Sequence, residues 1–215
     1  MIDQQLIHRI LDEHKNYKQK RPFIVAIDGL SGAGKTTISN QIENELTKRN
    51  ISVAIFHIDD HIVERKHRYN TGYEEWYEYY YLQWDVKLLQ QKLFKALHNE
   101  SKLTLPFYNH STDTTLYKTV NINSSELVLI EGIFLQREEW LPYIDYVVYI
   151  DCPREIRFER ALNRDTYIGD YQERLYKYKR RYWQGEDHYL NHVNPLKRAD
   201  FSINSYHQIT WKSYD

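Results

Sequence analysis

The sequence contains one cysteine, Cys152, so no disulfide framework can form within the chain. It also lacks any apolar run close to the ~20 residues that a membrane-spanning helix needs, and residues 1–5 do not begin a basic region followed by an apolar core. An excess of charge is missing as well, since 29 Lys and Arg stand against 30 Asp and Glu. We therefore expect a cytoplasmic protein with no membrane partner, and nucleic acid is not indicated as a partner of its whole surface.

Glycine is scarce too, with seven in 215 residues, yet three of them fall within residues 29–37, which read GLSGAGKTT. This stretch, the phosphate loop, fits the G-x-x-x-x-G-K-[ST] pattern of P-loop proteins. An apolar run of strand character precedes it over residues 23–27, and Ile38, Ile42 and Leu46 recur every fourth residue after it. Strand, loop and helix thus follow in the order that a P-loop requires.

The residue types in the phosphate loop have a chemical reason. Its glycines let the backbone turn N–H groups toward phosphate oxygens beside the positive end of a helix. Lys35 would then contact the β- and γ-phosphates, and the Thr36 hydroxyl would bind Mg²⁺. The alternative is a glycine-rich turn before an ordinary helix. The predicted nucleotide-binding residues are Gly29, Ser31, Gly32, Ala33, Gly34, Lys35, Thr36 and Thr37.

Acidic residues follow two further predicted strands. Residues 52–58 are followed by Asp59 and Asp60, and a continuous apolar run ends in Glu131. Because the carboxyl ends of parallel strands line the ligand crevice, these side chains should face the bound nucleotide. Asp59 could accept the proton of an attacking hydroxyl, hold Mg²⁺ with Thr36, or do both, and Glu131 is a further candidate Mg²⁺ ligand. The alternatives are a solvated turn for the Asp pair and a turn cap for Glu131.

Tyrosine is abundant, at 20 residues, and several lie in a polar, aromatic region over residues 63–85. These rings either pack against the body of the protein or line an acceptor pocket, and both can hold for different rings. Two extended pieces, residues 103–110 and 116–122, predict a small hairpin beside the main sheet. We assign residues of about 63–122 to an insertion that carries the acceptor site.

Residues 154–165 have helical periodicity, with Ile156, Arg160 and Arg164 on one stripe. This helix is either a solvated basic face or a lid whose two arginines stabilise the transferring phosphoryl group and exclude water. The basic patch at residues 177–183 has aromatic residues between its charges, a pattern that also fits single-stranded nucleic acid. Its acidic neighbours favour an exposed helix near the phosphate site instead. Residues of about 154–185 therefore form a predicted lid and basic helix.

Short apolar strands alternate with helical patterns along most of the sequence, which is the arrangement of an α/β fold. We predict a single P-loop domain over residues 1–215, with a parallel sheet of about five strands flanked by helices and a small hairpin and lid region. A chain of this length can bury a substantial core as one domain.

The ordered set of motifs resembles the nucleoside-kinase-like P-loop kinases, a family that includes uridine kinase, phosphoribulokinase and bacterial pantothenate kinase. The similarity extends over most of the chain, from Phe23 to about Ile203. This resemblance implies a kinase that uses ATP and Mg²⁺, with Asp59 as the base and Arg160 and Arg164 as lid arginines. Besides the phosphate loop, the segments that carry the resemblance are Asp59-Asp60-His61, Trp84-Asp85, Pro106-Phe107-Tyr108-Asn109, Leu129-Ile130-Glu131-Gly132, Arg160 with Arg164-Asp165, and Pro195-Leu196-Lys197-Arg198-Ala199-Asp200.

The resemblance also implies acceptor contacts near Asp60, Tyr108 and His110. At this end the chain departs from the uridine kinase pattern. Asp113 stands where uridine kinases have a histidine, five residues after the tyrosine of Pro-x-Tyr, and Tyr167-Ile168-Gly169-Asp170 replaces the Arg-Gly-Arg of their lid. These departures favour a small hydroxyl compound other than uridine as the acceptor.

We expect the chain to transfer the γ-phosphoryl group of ATP to a hydroxyl of a small metabolite, a nucleoside or another compound. One alternative is a nucleotide-dependent switch that contacts a macromolecule through residues 177–183. Another is a nucleoside monophosphate kinase that holds the acceptor phosphate with Arg65, Lys66 and Arg68. The sequence does not choose between a monomer and a homo-oligomer. The predicted catalytic residues are Lys35, Asp59, Arg160 and Arg164.

Overall fold

The computed structural model of the chain describes residues 4–204, and its centre is a five-stranded parallel sheet. Two further strands form a separate antiparallel hairpin. The strands are β1 (Phe23–Gly29), β2 (Val53–His57), β3 (Lys102–Asn109), β4 (Thr114–Asn121), β5 (Leu127–Gly132), β6 (Tyr146–Asp151) and β7 (Phe201–Asn204). The order in the main sheet is β2-β5-β1-β6-β7, and β3 pairs with β4. The predicted parallel sheet and hairpin are both confirmed.

Helices cover the sheet and connect its strands. They are α1 (Gln4–Asn16), α2 (Lys35–Thr47), α3 (Glu75–Tyr81), α4 (Val86–Leu89), α5 (Arg154–Arg164), α6 (Tyr171–Lys177), α7 (Trp183–Val193) and α8 (Pro195–Arg198). Within residues 4–204, none of these helices has the length and apolar character needed to cross a membrane.

The two central strands, β1 and β5, are apolar along their length because they are covered on both faces. Every residue of both strands is buried. Successive side chains point to opposite faces of the sheet, so Val25 and Ile27 pack with α1 and α2 while Ile24 and Ala26 pack with the other core. The sheet therefore separates two hydrophobic cores, and its carboxyl edge is left for the site.

The aromatic region between β2 and β3 divides its rings between core and surface. Tyr79, Tyr80 and Trp84 are buried, whereas Tyr73 and Tyr81 are exposed. The helix after it is not uniform, because α4 continues as a wider π-turn over Gln90–Phe94 and then a 3₁₀ turn over Ala96–His98. Its apolar face is buried.

The basic patch at residues 177–183 differs from its prediction. Tyr178 and Arg181 are buried, and Arg181 forms an ion pair with Glu78 of α3 at 3.0 Å. The expectation of an exposed helix is therefore wrong for these two residues. The physical reason is that α3 supplies a carboxylate, and backbone carbonyls of Glu75 and Arg68 accept further guanidinium protons.

A shared carboxylate ties the chain before β1 to the chain before β6. Asp145 accepts two hydrogen bonds from Arg21, at 2.6 and 2.8 Å, and others from the Tyr17 hydroxyl and the Ile24 amide. Both charged side chains are mostly buried, at 15% exposure each. Asp145 therefore anchors the amino edge of the sheet, opposite the phosphate loop.

We expect Asp145→Asn to lower the free energy of unfolding by about 2 kcal/mol, because it leaves a largely buried guanidinium without its counter-charge. Urea unfolding measures the change. Glu45→Gln is the matched control, since Glu45 pairs with Lys48 and Arg49 at the surface and should not change stability measurably. Equal stability of the wild-type chain and Asp145→Asn would contradict the anchoring role.

Candidate active site

The phosphate loop has the conformation that its glycines permit. Gly32 and Gly34 have φ values of +78° and +96°, in a region that side chains disfavour. A Cβ at Gly32 would also lie 2.6 Å from the backbone carbonyl oxygen of Arg157. The loop runs directly into α2, which begins at Lys35, so free amides of the helix start adjoin the loop. This arrangement can bind a phosphate group.

Lys35 and Thr36 sit where the loop meets the acidic strand ends. Lys35 Nζ donates to the backbone oxygen of Leu30 at 3.2 Å, and its charge acts on both Asp59 and Glu131. Thr36 Oγ1 donates to Glu131 Oε1 at 2.9 Å. The loop, its lysine and the β5 carboxylate therefore face one another.

Glu131 has a second partner, His57, which lies at the end of β2. His57 Nδ1 is 2.7 Å from Glu131 Oε1. Burial raises the pKa of Glu131, but the His57 hydrogen bond, the charge of Lys35 and the Thr36 hydroxyl together hold it below its usual range. A hydroxyl and a charged carboxylate side by side form the oxygen donor set that Mg²⁺ prefers. The residues present therefore fit a magnesium ion.

Asp59 lies in a 3₁₀ turn, Ile58–His61, directly after β2. Its side chain is exposed, but the surrounding protein limits its hydration and raises its pKa, and the positive charges of Lys35 and Arg164 oppose that rise. A Cβ at Gly132 would lie 2.0 Å from Ile58 Cγ2, so this glycine lets the turn pack closely on the end of β5.

His61 fixes the far end of the same turn. It is buried, its Nδ1 lies 2.6 Å from the backbone oxygen of Pro106 in β3, and burial lowers its pKa. A neutral ring that donates to this carbonyl therefore attaches the turn to the hairpin. Asp60, between the two, is exposed.

The predicted lid arginines occupy different places on α5. Arg160 Nη1 donates to the Gly32 backbone oxygen at 3.0 Å, so it already contacts the phosphate loop. Arg164 donates to both oxygens of Asp165, at 2.6 and 3.0 Å, and its charge opposes the rise that burial causes in the pKa of Asp59. One arginine therefore contacts the loop, and the other is paired with Asp165 within the range of charge of the candidate base.

The hairpin holds Tyr108 and His110 in unequal environments. Tyr108 is buried, and its hydroxyl donates to Asp113 Oδ1 at 2.8 Å and accepts from Arg68 at 3.3 Å. His110 is exposed at the hairpin turn, with its ring 4.7 Å from the Tyr108 ring. Asp113 also accepts from the Arg65 amide. The Tyr108 hydroxyl is thus engaged inside the hairpin, and the acceptor roles of both residues stay predictions.

Sequence reasoning missed several residues that contact the phosphate loop, among them Asp28, Arg157 and Glu186. Arg157 and Glu186 form a buried ion pair against Ser31. Asp28 is fully buried, accepts from the Gly29 amide at 2.8 Å, and has its pKa raised by burial. Asp28 could have been noticed because it is an acidic residue inside an apolar strand. Arg157 could have been noticed because it lies three residues before Arg160, on the same face of a helix. The sequence carried no comparable signal for Glu186.

The fold and the loop together define a P-loop phosphotransferase, with a phosphate loop between β1 and α2 and carboxylates at the ends of neighbouring strands. The chain belongs to the Phosphoribulokinase / Uridine kinase family, whose family model matches residues 24–209. The predicted resemblance is therefore confirmed, and the chain is a nucleotide-binding kinase.

Individual relatives support the same assignment. A uridine kinase of Lactobacillus helveticus is 30% identical over 153 residues, which cover 69% of this chain and 70% of that protein. A uridine kinase of Staphylococcus aureus is 31% identical over 153 residues, which cover 68% and 70%. The solved structure of a possible uridine kinase from Bacillus stearothermophilus has a TM-score of 0.78 and 44% identity, and the match covers 94% of this chain and 98% of that one.

We expect the His57 imidazole to titrate above its usual pKa of 6.5, because its hydrogen bond to Glu131 favours the charged ring. A raised folded-state pKa means that the pair adds stability fully below pH 6.5 and loses it as the pH rises through the folded value. NMR titration of the ring signals, assigned with His57→Gln, measures the pKa. Glu131→Gln should lower it, and a wild-type value at or below 6.5 would contradict the pairing.

Proposed function

We propose that the chain transfers the γ-phosphoryl group of ATP to a hydroxyl of a small metabolite. The observation that carries this proposal is the hydrogen bond of Thr36 to Glu131 beside the phosphate loop, with Asp59 near enough to Lys35 for the lysine charge to act on its pKa. A loop for the triphosphate, a donor set for Mg²⁺ and a separate carboxylate for the acceptor are the parts that phosphoryl transfer requires.

Each of these parts has a defined task. The loop amides and Lys35 bind the phosphates and stabilise the charge that develops on the transferring group. Thr36 and Glu131 would hold Mg²⁺, which when bound neutralises phosphate charge. Asp59 orients the acceptor hydroxyl or accepts its proton, and its raised pKa brings it closer to the working range of a general base.

The arginines of α5 would add positive charge near the transferring phosphoryl group. Arg160 is next to the Gly32 carbonyl of the loop, and Arg164 is close enough to Asp59 to change its pKa. Together they would supply positive charge close to the phosphate loop and the candidate base. A helix in that place also limits the access of water, which would otherwise hydrolyse the nucleotide.

The acceptor is proposed as a nucleoside or another small hydroxyl compound. The relatives named uridine kinase support a nucleoside. The Tyr108 hydroxyl donates its hydrogen bond to Asp113, and this supports an acceptor other than uridine itself. Arg68 is buried and donates to Val63 and Tyr108, which argues against its use as an acceptor-phosphate site in a nucleoside monophosphate kinase.

The proposal is tested by ADP formation from ATP and Mg²⁺, with and without a panel of nucleosides, vitamins and sugars. We expect one metabolite class to stimulate turnover and to carry the labelled γ-phosphate afterwards. Stimulation by RNA or a protein alone would favour the switch instead. Absence of labelled product with every hydroxyl compound, despite ATP hydrolysis, would contradict the proposal.

In the same assay we expect Lys35→Ala to lower turnover by about 10²- to 10³-fold, because a preorganised cation is lost from the phosphates. Lys48→Ala is the matched control. Lys48 follows the last turn of α2 and pairs with Glu45 at the surface, so its loss should leave turnover unchanged. Near-normal phosphotransfer by Lys35→Ala would contradict the role of Lys35 in stabilising the phosphates.

For Asp59→Asn we expect retained ATP binding and a fall in kcat of about 10²- to 10⁴-fold, because the amide cannot accept the acceptor proton. Calorimetric titration with ATP and steady-state kinetics separate the two effects. Lost nucleotide binding with normal chemistry would mean that Asp59 acts through Mg²⁺ alone and is not the base.

A further inference from the structure

We propose that the buried ion pair of Arg157 and Glu186 positions the phosphate loop by holding the Ser31 peptide groups. These are positioning residues, because they touch the loop backbone and not the nucleotide. The inference rests on the proposed nucleotide site.

Two hydrogen bonds connect the pair to the loop. Glu186 Oε1 accepts from the Ser31 amide at 3.0 Å, and Arg157 Nη1 donates to the Ser31 carbonyl oxygen at 3.0 Å. Arg157 Nη1 lies 2.9 Å from Glu186 Oε2, and the two side chains are only 4% and 0% exposed. Both peptide groups that flank the Ser31 Cα are therefore fixed by one ion pair.

The Ser31 side chain is held as well. Its Oγ lies 3.0 Å from the hydroxyl of Tyr79, which is buried on α3. The amide, the carbonyl and the hydroxyl of Ser31 thus contact three different helices, α7, α5 and α3. Arg160 adds a bond to the next carbonyl, that of Gly32. This end of the loop is anchored to the helices that surround the cleft.

A buried ion pair is weak evidence for stability alone, because desolvation of the two charges offsets much of their attraction. A pair of apolar residues could fill the same space. Apolar residues could not bond the Ser31 amide or carbonyl, and these groups would turn toward other partners. Since the amides that follow Ser31 are the ones proposed to bind phosphate, the pair preorganises them before the nucleotide binds.

The chain offers a matched control in the ion pair of Arg181 and Glu78. This pair is equally buried, with exposures of 1% and 2% and a distance of 3.0 Å. Its hydrogen-bond partners are Thr71, Gln83 and the carbonyls of Glu75 and Arg68, none of which belongs to the phosphate loop. Removing its charge therefore tests burial and pairing without removing a hydrogen bond to the loop backbone.

The experiment compares five proteins: the wild-type chain, Glu186→Gln, Arg157→Lys, the double variant Arg157→Met with Glu186→Leu, and Glu78→Gln. Calorimetric titration gives the Kd for ATP with Mg²⁺, and thermal unfolding without nucleotide gives Tm. We expect Kd to rise several-fold in Glu186→Gln, which keeps an acceptor for the Ser31 amide. In the double variant we expect a rise of about 10- to 100-fold, on the scale of lost supporting contacts at other sites. Glu78→Gln should keep the wild-type Kd, even where its Tm falls.

The outcomes separate positioning from stability. A double variant that unfolds at the wild-type Tm but binds ATP weakly supports the proposal, and wild-type affinity in that variant overturns it. An equal loss of affinity in Glu78→Gln also overturns it, because a general effect of burial would then explain both. If the double variant does not fold, unchanged affinity in Glu186→Gln and in Arg157→Lys overturns the proposal and a graded loss supports it. A wild-type chain that binds no ATP would instead overturn the proposed nucleotide site.

Discussion

The site depends on the parallel register between β1 and β5. Ile27 lies opposite Glu131, and on the other side of β5 Glu131 lies opposite His57. The three strand ends therefore reach the same edge of the sheet, where the phosphate loop begins. A slip of one residue would point Glu131 to the opposite face, away from Thr36 and His57. Every later step, from the magnesium donor set to the Asp59 turn, assumes this register.

Carboxylates lie close to a loop that is proposed to bind an anion, so each negative charge must be neutralised or hydrogen-bonded within the fold. Asp28 is bonded by the Gly29 amide, Tyr189 and Gln136, and burial raises its pKa. Glu186 has Arg157, and Glu131 has His57. Asp59 alone of the four is exposed. Three of these four acids are thus engaged by the fold, whereas Asp59 is the one proposed to act on the acceptor.

Local patterns predicted the sheet, the hairpin and the phosphate loop, because strand periodicity and the glycine spacing are short-range features. They also indicated Asp59 and Glu131, since both directly follow or end an apolar strand. The Ser31 contact to Glu186 joins residues 155 positions apart. Arg181, predicted to be exposed, finds Glu78 across 103 positions. Such pairs depend on how helices pack against one another, and periodicity within one helix does not encode that packing.

The proposed acceptor site and the phosphate loop depend on different parts of the chain. Backbone geometry makes the phosphate loop, whereas single side chains on the hairpin and its neighbours would make the proposed acceptor surface. An aspartate can only accept hydrogen bonds when ionised, and the hydrogen bonds of Tyr108 and Arg65 to Asp113 lower its pKa. Tyr108 must therefore donate its proton to Asp113. A histidine in that place could donate as well as accept and would leave the phenol a choice of partner. One acidic residue at this turn thus changes which hydrogen bonds the hairpin can make to an acceptor, and it leaves the phosphate loop unchanged.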